Sequence, residues 1–164
     1  MKAMTGFVFV GLLAFQWSCT SEVPRNLPLR QVLPVVSGYP AVRWDSTGTQ
    51  SGSPYSGKAD TVEYRGTTYL VQEAPIFTEN EVKAVRKVPD HADMMEFYLN
   101  EKGVEALKAF SSDQSNIQCP MALRFGERWV SFPILQSRIP NGTFIMVGLT
   151  EEEYKQAEAA FGHM

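Results

Sequence analysis

Side chains capable of chemistry are few in this chain, and they do not cluster. His91 lies in Pro89-Asp90-His91-Ala92-Asp93-Met94-Met95, a run holding imidazole, carboxylate and thioether groups that can ligate a metal. Neighbours in sequence rarely converge on one ion without distant partners. The run therefore reads as a solvated loop leading into a strand, with Met95 in the core. His163 lies beside the C-terminus, where chains fray. A nucleophile needs a base held against it, yet Ser51, Ser53 and Ser56 sit in a stretch with nothing to fix their geometry. Cys119 has no evident histidine partner. Residues 48–57 contain glycines but lack the strand–helix context and basic residue of a phosphate loop. Glu151-Glu152-Glu153 suits the first turn of a helix, where the backbone dipole favours negative charge. These residues predict a non-enzymatic protein with no cofactor and no metal.

Aromatic and basic residues remain as means of recognition. Most of Tyr64, Tyr69, Phe97, Tyr98, Trp129 and Phe132 are expected in the core. Trp129 is the exception. If Val130 and Phe132 take the buried side of a strand, alternation turns Trp129 and Ser131 outward. Trp129, with Arg124, Arg128 and Ser131 around it, is the candidate partner-binding set.

The elements that would position this set follow from pattern and caps. Val62-Glu63-Tyr64 and Thr67-Thr68-Tyr69-Leu70-Val71 flank Arg65-Gly66, a hairpin signal. Thr78-Glu79-Asn80-Glu81 is a capping box, so a helix is expected with Val82 and Val85 on one face, ending before Pro89. Residues 94–99 alternate as a strand, and Asn100 caps a helix carrying Val104, Leu107 and Phe110 on one side. Residues 117–125 and 128–135 form strands about Gly126-Glu127, and residues 143–148 form another. Thr150 starts the last helix, with Tyr154, Ala157 and Phe161 at helical spacing. The expected fold is α+β, a mainly antiparallel sheet with about three helices on one face.

Upstream, Met1-Lys2 precedes an apolar run to Trp17, too short to span a bilayer comfortably and patterned as an export signal. Ser18-Cys19 resembles a bacterial lipoprotein processing site, although Gln16 and Trp17 depart from its usual residues. The expected organisation is a signal peptide over 1–18, a tether and flexible linker over 19–59, and a folded domain over 60–164. Acylation of Cys19 would anchor the protein on the periplasmic side of a membrane, the outer one favoured because Thr20 and Ser21 carry no acidic retention signal. Cys119 would then be a lone core thiol. Secretion with Cys19 intact would instead allow a Cys19–Cys119 disulfide. Within the tether, residues 31–44 could supply an edge strand or simply pack an aromatic onto the domain, since Pro34, Gly38 and Pro40 interrupt the apolar run. The net charge is −3 with no basic stripe, which argues against nucleic acid as a partner.

Local text adds a resemblance. Glu73-Ala74-Pro75-Ile76-Phe77-Thr78, Phe97-Tyr98-Leu99-Asn100-Glu101-Lys102-Gly103 and Ala122-Leu123-Arg124-Phe125-Gly126-Glu127-Arg128-Trp129-Val130 each resemble successive pieces of the head subdomain of the SecD large periplasmic domain in SecDF. Gly148-Leu149-Thr150-Glu151-Glu152 resembles its closing strand and final helix. The match covers most of residues 73–161, about half the chain. It implies an α+β fold and a mobile, non-catalytic part that engages exported chains; without a polytopic membrane region, the export motor itself is not implied. Phe125 stands where that hairpin usually carries an acidic residue. The sequence thus predicts an envelope-anchored, non-catalytic module binding a protein or extended peptide. An inhibitor or immunity-type lipoprotein is the alternative, and a metal-binding or enzymatic role the least favoured.

Overall fold

Val36–Trp44 form β1 in the middle of a five-stranded sheet, although the sequence assigned them to the tether. The structure, a computed structural model, describes residues 36–44 and 58–162. The leader, Cys19, the serine-rich linker and His163 lie outside the described residues. β2 (Ala59–Tyr64) and β3 (Thr67–Gln72) form the expected hairpin. With β6 (Met121–Phe125) and β7 (Arg128–Ser131), they complete a sheet of order β2-β3-β1-β6-β7. A second sheet has the order β4-β5-β8, from Val82–Lys87, Met94–Leu99 and Thr143–Val147. Every strand pair is antiparallel.

Pro40 is tolerated in this central strand because β1 changes partner there. Val36 to Pro40 pair with β6, and Ala41 to Trp44 pair with β3, so the missing proline N–H falls at the handover. Gly38 is required for a different reason. Its amide donates to the Phe77 carbonyl at 3.1 Å, and its carbonyl accepts from Ile76 at 2.7 Å. A Cβ there would lie 2.5 Å from the Phe77 ring.

The helix expected after Thr78 is a strand. The capping box does form: the Thr78 amide donates to Glu81 Oε2 at 2.9 Å, but the box closes only a single 3-10 turn, Glu79–Glu81. Val82 lies opposite Leu99 and Val85 opposite Phe97, with a bulge between Val82 and Ala84. The bulge adds one residue, so two valines three apart serve partners two apart. Their spacing imitates a helical face. A local cap contributes about 1 kcal/mol, less than the burial of Val85 together with a full strand pairing.

Two α-helices therefore complete the α+β fold instead of three, and two sheets replace one. α1 (Glu101–Ser112) starts at Asn100, whose side chain accepts from the Gly103 amide, and α2 (Glu151–Phe161) starts at the Thr150 capping box. The main core lies where both sheets and both helices meet. It holds Val36, Phe77, Val85, Phe97, Leu107, Leu123, Val130, Phe144, Tyr154 and Ala157. Among the described residues no helix is long and apolar enough to cross a membrane.

Candidate functional site

The other face of the five-stranded sheet carries a second, smaller cluster built on Tyr39, Ala41, Val62, Val71 and Ala122. Alternation along β1 sends Val36 and Gly38 to the main core and Ser37, Tyr39 and Ala41 to this face. In β6, Leu123 and Phe125 go to the main core, and Ala122 and Arg124 come here. Tyr69, Trp129 and Phe132 pack against the cluster. Tyr39 meets Trp129 edge-on at 5.5 Å between ring centroids, Trp129 lies 6.0 Å from Phe132, and Phe132 stacks on Tyr69 at 4.1 Å. The Tyr64 hydroxyl donates to the Val130 carbonyl. That bond joins β2 to β7, the two outermost strands, so the sheet curls until its edges approach across this face.

Arg124 stands at one end of the aromatic row. Its guanidinium carbon is 5.3 Å from the Tyr39 ring centroid and 5.6 Å from that of Trp129, within cation–π range of both. No hydrogen bond or ion pair links the Arg124 side chain to any of the described residues, and its Nε is closed to solvent without a partner. Ser37 lies directly opposite Arg124 in the β1–β6 register. It is only 1% exposed, and its Oγ is likewise unpartnered. Two polar groups with unmet hydrogen-bonding capacity thus lie side by side in the β1–β6 register. Leaving such groups unmet costs about 1–3 kcal/mol each.

The four residues nominated from sequence separate. Arg124 and Trp129 come together, being opposite one another in the β6–β7 register. Ser131 does not join them. A register shift between Leu123 and Arg124 sets Ser131 opposite Leu123, a main-core residue, and brings Phe132 to the Trp129 side. The expectation that Phe132 is core-facing and Ser131 outward is reversed by that one extra residue. Trp129 faces away from the main core as expected, yet it is half-buried and packed, not a free anchor. Arg128 is engaged elsewhere: its Nε donates to Glu153 Oε1 at 2.9 Å and its Nη2 to the Gly148 carbonyl at 3.0 Å. Sequence reasoning missed Ser37 and Tyr39 because they fall in the proline-bearing stretch.

His91 is exposed in the turn before β5, and among the described residues no group of three or more His, Cys, Asp or Glu can hold a metal. Cys119 is half-buried and belongs to neither core cluster; its Sγ lies 3.4 Å from the Ser115 carbonyl, and burial pushes its pKa up.

No protein-family model matches the chain, and no curated protein matches it either. Solved structures do. One is SecDF, described as a membrane component that enhances protein export; it matches 79% of this chain and 63% of its own, at 14% identity and a TM-score of 0.53. Another is SecDF in a super-membrane-facing form, matched over 79% of this chain and 19% of its own, at 14% identity and a TM-score of 0.54. The chain thus spans under two thirds of either relative. The likeness is one of α+β fold, and at 79% of the chain it reaches beyond residues 73–161.

Proposed function

We propose that this chain is an exported, lipid-anchored, non-catalytic binding module of the bacterial envelope whose partner is a protein or an extended peptide. The observation that carries the reading is Arg124, a guanidinium within cation–π range of both Tyr39 and Trp129 with no acidic partner among the described residues. A cation that serves no ion pair among the described residues and lies against two aromatic rings is suited to recognition. The SecDF-like fold supports a periplasmic setting and a protein substrate. The leader and Ser18-Cys19 support anchoring through Cys19, which mass spectrometry of the mature N-terminus tests directly.

Binding is tested by site-specific photocrosslinking in cells. A photoreactive residue at Arg43, exposed and two residues beyond Ala41 on β1, reports on the Arg124 face; one at Lys108 on α1 serves as control. Adducts formed at Arg43 should be absent at Lys108 and should fade in Arg124→Gln. Identical adducts at both positions, or indifference to Arg124→Gln, would remove this face from the function.

A further inference from the structure

We infer that the Arg124–Ser37 pair is a receptor for a single carboxylate carried by the extended peptide, an inference that rests on the binding reading above. Beside Ser37 the nominated basic residue left uncommitted among the described residues is Arg124, since Arg128 is engaged by Glu153. One charge matches a monoanion and leaves a phosphate dianion half neutralised. The guanidinium fork presents parallel N–H groups at the spacing of two carboxylate oxygens. Ser37 Oγ, cross-strand from Arg124, is the neighbouring donor for the second lone pair of such an oxygen.

The burial pattern explains why these groups wait unpaired. Arg124 is half-buried, and of its guanidinium nitrogens only Nε is among the closed-off unpartnered atoms. Tyr39 and Trp129 keep the guanidinium carbon within cation–π range of both rings. A carboxylate bound at this point would give Nε and Ser37 Oγ the acceptor that both lack. The row from Trp129 through Phe132 to Tyr69 leads away from this point and offers apolar contact to the residues that follow along the peptide. The carboxylate comes from either an acidic side chain or a chain terminus. Both present the same two oxygens.

Fluorescence anisotropy with the full chain separates the sources. The probes are short labelled peptides of Ser, Thr and Val: one with a free C-terminal carboxylate, one amidated, one amidated with an internal Glu, and one with Gln in its place. A free-acid or Glu peptide should bind about ten- to a hundredfold more tightly than its neutral counterpart, and whichever acid gives the gain identifies the source. Arg124→Gln should erase that ratio, and Arg124→Lys, which keeps the charge without the fork, should recover only part of it. Acetate should compete with the wild-type chain where chloride at equal ionic strength does not, a readout independent of whether any variant folds. Equal affinities for acid and neutral peptides, with acetate inert, would overturn the carboxylate site while leaving the binding module standing. Absence of binding by every peptide would overturn both.

Discussion

Arg128 on β7 holds Glu153 in the first turn of α2, its Nε 2.9 Å from Oε1, while the same carboxylate accepts from the Thr150 amide at 2.8 Å. One side chain thus completes a capping box and ties a sheet edge to a helix start. Burial pushes the Glu153 pKa up, but the Arg128 and Thr150 hydrogen bonds together outweigh it, and the net shift is downward.

A folded-state pKa below the unfolded one gives stability that is present above the ordinary carboxylate range and lost as pH falls through the depressed value. The melting temperature should therefore drop on acidification below about pH 4.5. Glu153→Gln should flatten that part of the profile and cost about 1 kcal/mol at neutral pH, a modest figure because Arg128 is nearly half exposed. Superimposable acid profiles for variant and wild type would show that this pair does not contribute.

Gly103 sits in the first turn of α1, where alanine would ordinarily raise helix stability by about 1 kcal/mol. Here a Cβ would lie 2.9 Å from the Cβ atoms of both Glu81 and Leu99. Those atoms are fixed close to their backbones and cannot swing away. Gly103→Ala should therefore destabilise by about 1–3 kcal/mol in denaturant melts. A gain in stability would mean that α1 is free to shift against the Glu79–Glu81 turn.

Tyr64→Phe removes the hydroxyl that bridges β2 to β7 while keeping the ring against Phe132 at 5.0 Å. The expected loss is about 1 kcal/mol, with faster amide exchange in β2 than in β5, because only the curl of the five-stranded sheet depends on that bond. Uniform acceleration across both sheets would show instead that the bond supports the whole fold.

What could be read from sequence follows how local each determinant is. Asn100 and Thr150 start helices through hydrogen bonds to residues three further on, so α1 and α2 were legible. Arg65-Gly66 and Gly126-Glu127 mark hairpins by the same logic; Arg65, Gly66 and Gly126 all take positive φ. Two of the errors arise at bulges. Val82 with Val85, and Trp129 with Phe132, are each three residues apart, yet each pair shares one face of a strand. A spacing of three reads as helix in the first case and as opposite faces of a strand in the second, and only the partner strand reveals the extra residue. The site was half legible for the same reason. Arg124 and Trp129 lie on one hairpin, whereas Ser37 and Tyr39 arrive by a long-range pairing that no local signal encodes.

That long-range pairing makes Gly38 the sharpest test of β1 as the central strand. Its backbone is ordinary extended chain, so any cost of a side chain there is steric. The nearest atoms belong to the Phe77 ring, 2.5 and 2.6 Å from the added Cβ, and Phe77 is itself 1% exposed and packed on Phe144 at 4.7 Å. The ring has no space to retreat. Gly38→Ala should cost upward of about 3 kcal/mol, the upper end of overpacking penalties. Phe77→Leu alone should cost about 1–2 kcal/mol for lost packing, and it removes the ring atoms that the added methyl group would strike. The double variant should therefore be more stable than the sum of the single losses allows, with a coupling of about 1 kcal/mol or more. Additive losses would mean that Gly38 and Phe77 do not touch, and β1 would no longer belong in the middle of the sheet.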